Sequence, residues 1–102
     1  MRLVASRGWE VEEIVTRQAV QDLERLAREA RERALAGLTS PLEVHMYRAR
    51  MDLALLSQTT GLWRWRIRRH FRPQVFARLS CPLRRRYADA LGLSLEALGR
   101  ID

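Results

Sequence analysis

Between Trp9 and Leu38, apolar residues recur at Val11, Val15, Ala19, Leu23, Leu26, Ala30, Ala34 and Leu38, with no proline or glycine before Gly37. Steps of three and four residues put these side chains on one stripe of an α-helix. The spacing therefore predicts a single helix over 9–38. Its other face carries Glu24 with Arg28, Glu29 with Arg33 and Asp22 with Arg25, pairs whose separations steady an exposed helix by tenths of a kcal/mol each. At a rise of ~1.5 Å per residue the helix is too long for the remaining chain to cover. Two roles stay open for it: packing along its own domain, or pairing with a second copy through Val15, Ala19, Leu23, Leu26 and Ala30.

Beyond residue 38 the punctuation comes faster. Ser40, Pro41 and Glu43 have the order of a capping box with proline at the first helical position, so a helix is expected over 41–51. Asp52 is a cap for a short helix from Leu53 to Thr60, and Gly61 can close it in a left-handed conformation. A further helix begins near Trp63 and is limited by Pro73. A short piece over 74–79 follows, then a helix started by Ser80-Cys81-Pro82 that runs to Gly92, then a Ser94-capped turn from Leu95 to Leu98. No stretch alternates with period two, so the expected fold class is all-α.

Charge is divided unevenly. Residues 1–40 hold seven Arg and seven acids, whereas 41–102 hold twelve Arg and five acids, which places the whole net charge of +7 in the second part. From Trp63 to Arg86 there are nine arginines and no acid. Such a block points to a polyanionic partner, with nucleic acid foremost. All 19 basic residues are arginine, which reads mainly as GC-rich coding. Cys81 is the only cysteine, so an intramolecular disulfide is excluded and a reducing cytoplasm is expected. The first residues are too short an apolar run for a secretory signal, and no segment reaches the ~18 apolar residues of a membrane helix.

Residues 53–72 have the spacing of a helix-turn-helix: a short helix with small Ser57 facing inward, Gly61 at the turn, apolar Leu62 after it, and Ile67 as the β-branched anchor of the second helix. Around that spacing the chain resembles the phage lambda repressor and Cro type of helix-turn-helix domain, the Xre family, over about residues 41–99. Leu55-Leu-Ser-Gln-Thr-Thr-Gly-Leu62 looks like the family's first motif helix and turn. Arg64 to Arg69 falls where its recognition helix lies, and Tyr87-Ala-Asp-Ala-Leu-Gly-Leu-Ser-Leu-Glu-Ala-Leu98 looks like its closing stretch. Four features depart from the pattern: Ser57 for alanine, Trp63 and Trp65 for polar residues, His70 at an apolar position, and Pro73 in place of a glycine-containing loop.

The resemblance implies a five-helix bundle at 41–102, with residues 1–40 as a helical extension for support or dimerisation. It also implies a homodimeric, sequence-specific binder of double-stranded DNA acting as a transcriptional regulator, repressor or antitoxin of a bacterium or phage, in the cytoplasm at the nucleoid. In that register Arg64, Trp65, Arg68 and Arg69 are candidates to read bases, since a guanidinium fork can bond guanine O6 and N7 together. Gln58, Trp63, Arg66, Arg72, Arg78, Arg84 and Arg85 are candidates for phosphate.

Blander expectations stand beside these. Two tryptophans two residues apart diverge by about 200° on a helix, so both cannot face the core; Trp63, beside Leu62, is expected to pack inside and Trp65 to be the exposed one. His70 is expected to be a packing residue or phosphate contact, and Cys81 a small buried hydrophobe. His45, His70 and Cys81 lack metal-ligand spacing, no nucleophile motif or phosphate-binding loop is present, and no cofactor or enzymatic activity is expected. The alternative reading is a module that uses Trp63, Trp65 and the arginine face to bind an acidic protein.

Overall fold

A computed structural model describes the backbone of residues 2–101 and the side chains of residues 18–101. The described residues are all-α, with seven helices and no strand: α1 Arg2–Leu35, α2 Pro41–Arg48, α3 Leu53–Thr60, α4 Arg64–His70, α5 Pro73–Ala77, α6 Cys81–Leu91 and α7 Leu95–Leu98. The long helix starts at Arg2 rather than Trp9, because a lone glycine such as Gly8 costs only about 1 kcal/mol and does not stop a helix. It ends at Leu35 rather than Leu38. There Gly37, at φ 78°, turns the chain, and the Leu38 amide donates to the Arg33 carbonyl at 2.8 Å.

The core draws on Leu42 and Met46 of α2, Leu56 of α3, Ile67 of α4, Phe76 of α5, Tyr87, Ala88 and Leu91 of α6, and Leu98 of α7, with Leu62 from the loop after α3. α3 lies against both α4 and α6, α6 against α7, and α7 returns to α2. The chain end is fastened there by His45 Nε2 on the Arg100 carbonyl and by an Arg48 N–H donated to the Ile101 carbonyl. α1 packs along α2. Ala27 and Ala30 are buried there, and Arg33 pairs with Glu43 across the two helices at 3.0 Å.

Local caps explain most of the boundaries. Asp52 accepts from the Leu55 amide at 2.8 Å and Ser94 from the Ala97 amide at 3.0 Å, while Gly61 at φ 76° and Gly92 at φ 71° close α3 and α6 in the left-handed region. The expected capping box at Ser40 is not formed. Its hydroxyl is drawn away to the His70 carbonyl, and Glu43 is occupied by Arg33. α2 also stops at Arg48, three residues short of 51, because Arg50 takes a left-handed φ of 61° and the Met51 amide turns back to the Met46 carbonyl.

Candidate nucleic-acid interface

α4 is a seven-residue helix with two unlike faces. Ile67, fully buried, and His70, 5% exposed, fix its inner side to the core. Arg64, Trp65, Arg68 and Arg69 are exposed on the outer side, Arg66 is half-buried between the two, and Arg72 is exposed just beyond the helix. Trp65, Arg68, Arg69 and Arg72 together line one shallow groove. Among the described residues the ion pairs join Arg25 to Asp22 and Glu29, Arg33 to Glu43 and Arg100 to Glu96, so none of the arginines from 64 to 86 meets a carboxylate. Arg64, Arg68, Arg69, Arg72, Arg78, Arg85 and Arg86 among them are exposed to solvent.

The turn before α4 is stitched by side chains. The Ser57 hydroxyl donates to the Leu62 carbonyl, and Thr60 Oγ1 donates to the Leu56 carbonyl at 2.7 Å while accepting from the Leu62 amide at 3.2 Å. This fixes Leu62 inward at 4% exposure and leads directly into α4. The expected burial of Trp63 is overturned: it is 72% exposed, and Trp65 is 62% exposed. A divergence of 200° holds only where both residues are helical. Trp63 instead is the residue before α4, extended at φ −65°, ψ 145°, so its indole leaves the helical stripe while Leu62 takes the inward position.

The far end of α4 is held by the segment that links α1 to α2. Ser40 Oγ donates to the His70 carbonyl at 2.9 Å, the Ser40 amide to the Phe71 carbonyl at 2.7 Å, and Thr39 Oγ1 to the same Phe71 oxygen at 3.2 Å. Carbonyls at a helix end have no partner within the helix, so these three bonds satisfy groups that would otherwise be stranded. On the inner side His70 Nδ1 lies 2.6 Å from the Tyr87 hydroxyl, with the rings edge to face. Burial lowers the His70 pKa from its ordinary value, and the nearby Arg66 and Arg69 charges push the same way. Burial raises that of Tyr87. The pair is therefore neutral near pH 7, with the Tyr87 O–H able to donate to an unprotonated Nδ1.

The remaining candidates divide. Gln58 on α3, Arg78 at the end of α5, and Arg85 are exposed. Arg85 lines a separate cleft with Thr59, Pro82, Arg86, Asp89 and Ala90. Arg84 is drawn inward: its Nη2 donates to the Phe76 and Ala77 carbonyls at 3.0 and 3.3 Å, its Nε to the Leu79 carbonyl at 3.2 Å, and its guanidinium lies 5.1 Å from the Phe76 ring centre. It serves as a cap for α5, not as a free cation, a role that carbonyls contributed by the fold decide and that charge counting overlooks. The expected burial of Cys81 is also overturned. At the exposed first position of α6 its thiol faces outward.

Of the residues placed on a paired face of α1, Val15 lies outside the described side chains. Ala30 is fully buried within the chain itself and is unavailable to a partner. Ala19, Leu23 and Leu26 line a groove shared with Arg50, Asp52 and Leu55. Among the described residues no three His, Cys, Asp or Glu side chains converge on a metal-sized site, and no helix is long and apolar enough to cross a membrane. Comparison of the chain with protein-family models, with curated proteins and with solved structures finds no match.

Proposed function

We propose that the protein binds double-stranded DNA as a helix-turn-helix regulator of the lambda repressor and Cro type, with residues 41–102, α2 to α7, as the DNA-binding bundle and α4 as the helix that enters the major groove. The observation that carries this reading is the two-faced α4. Ile67 and His70 anchor it, while an acid-free row of arginines stands outward where it can meet base edges and phosphates. The left-handed Gly61 and inward Leu62 between α3 and α4 support the same register. Arg64, Arg68 and Arg69 then address bases, and Arg72, Arg78 and Arg85 address phosphates, the latter setting position without carrying sequence information. Residues 1–40 support the bundle, and two copies read two half-sites ~34–36 Å apart.

The test is a mobility-shift titration with duplex fragments from around the protein's own gene at physiological salt, repeated over a salt series. Binding is expected to weaken with salt by a log–log slope of about 0.9 per phosphate neutralised. A complex indifferent to salt would remove the electrostatic basis of the reading. A second reading is favoured by the two bare indoles: Trp63 and Trp65, with the arginines around them, form a docking face for an acidic protein. Absence of any duplex binding, together with loss of a protein complex in Trp65→Ala, would select it.

A further inference from the structure

Building on the duplex-DNA reading, we infer that Trp65 is a specificity residue whose indole covers the 5-methyl group of a thymine next to a guanine held by Arg68 or Arg69. Residues 65, 68 and 69 follow one another at intervals of three and one, which keeps them within one stripe of α4, and Arg72 extends the same face just beyond the helix end. The four side chains enclose the same groove. From 65 to 69 the stripe rises about 6 Å along the helix, on the order of two base-pair steps. The indole is the one apolar surface within this stripe.

Among the described residues nothing packs over that surface. Trp65 is 62% exposed, and the aromatic and cation–π contacts among the described residues join His70 to Tyr87 and Arg84 to Phe76, leaving the indole without a partner. A major groove presents hydrogen-bonding edges at every base pair but only one apolar group, the thymine methyl. An indole flanked by guanidinium forks therefore fits a step in which a methyl adjoins the two acceptors of guanine. Trp63 is not assigned this role, because it precedes the helix and takes no part in the groove.

The experiment starts from duplexes selected by the protein from a randomised pool. Each thymine of the preferred duplex is replaced singly by deoxyuridine, which removes only the methyl group, and binding is read by fluorescence anisotropy. The wild-type protein should lose about fourfold at one thymine adjacent to guanine, the value of one buried methyl. Trp65→Ala should bind the thymine and uracil duplexes alike, Trp65→Phe should retain part of the difference, and Arg68→Ala should weaken both duplexes by the same factor. Because Trp65 is exposed, the melting temperature of its variants should match the wild type. Uracil tolerance at every position in the wild type, or a difference that persists in Trp65→Ala, would overturn the assignment while leaving duplex binding intact. Failure to select any duplex would overturn the DNA reading itself.

Discussion

Arg68 and Arg84 carry the same guanidinium and stand in opposite situations. Arg68 is exposed and unpaired among the described residues, whereas Arg84 bonds three carbonyls around the end of α5 and covers the Phe76 ring. Arg84→Ala should thus destabilise the fold by about 1–3 kcal/mol, the cost of stranding partly buried carbonyls and removing a ring contact. Arg84→Lys should recover only part, since an ammonium cannot reproduce a planar fork. Urea denaturation would measure both, and equal stability of Arg84→Ala and Arg85→Ala would contradict the capping role. His70 and His45 make a second prediction. Burial is the main cause that lowers each pKa below the ordinary 6.5, so the unfolded chain takes up protons first as pH falls. Their contribution to stability is fully present above pH 6.5 and is lost as pH drops through the lowered folded values. Thermal melts should show a lower midpoint at pH 5 than at pH 7.5, and a midpoint that rises on acidification would oppose this account. Residues whose roles are local were legible in the sequence: Asp52 and Ser94 cap, Gly61 turns left-handed, and Gly92 ends its helix. Trp63, Cys81 and Arg84 were not, because their fates depend on backbone geometry or carbonyls supplied by the assembled fold.

At the scale of elements, α4 is too short to hold itself in place. Its inner face supplies two buried side chains, and its last carbonyls depend on Thr39 and Ser40, some thirty residues earlier. Ser40→Ala should cost about 1–2 kcal/mol, the loss of a buried hydroxyl bond with its carbonyl left behind, and should speed amide exchange at the end of α4. Unchanged exchange there would show that the link from α1 does not hold the helix. Arg50 makes the opposite prediction. It ends α2 in a left-handed conformation that glycine adopts freely, so Arg50→Gly should stabilise the fold by about 0.5–1 kcal/mol in the same assay. The order of helices was readable from caps, glycines and prolines, and α3 and α7 coincide with their expected spans. The tether between the α1–α2 linker and α4 was not, since Ser40 advertises a helix cap and only the folded neighbour offers its hydroxyl a better acceptor.

For the whole molecule, α1 both packs in cis and leaves an apolar strip. Ala27 and Ala30 are buried along α2, yet Ala19, Leu23, Leu26 and Leu55 border an open groove. We propose that a second copy uses that strip, and Leu23→Asp should then convert a dimer of about 24 kDa, twice the 12.0 kDa chain, to monomer in light scattering. A wild-type mass of one chain would refute a stable free dimer. If the outer face of α4 reads DNA rather than merely adhering to it, its arginines discriminate between duplexes. The most direct test compares wild type, Arg68→Ala, Arg69→Ala and Arg85→Ala on the preferred duplex and on random duplex under one salt condition. Arg68→Ala or Arg69→Ala should weaken the preferred duplex more than the random one by about 1–3 kcal/mol, while Arg85→Ala should weaken both alike. An unchanged ratio in both α4 variants, with a changed ratio in Arg85→Ala, would contradict such reading.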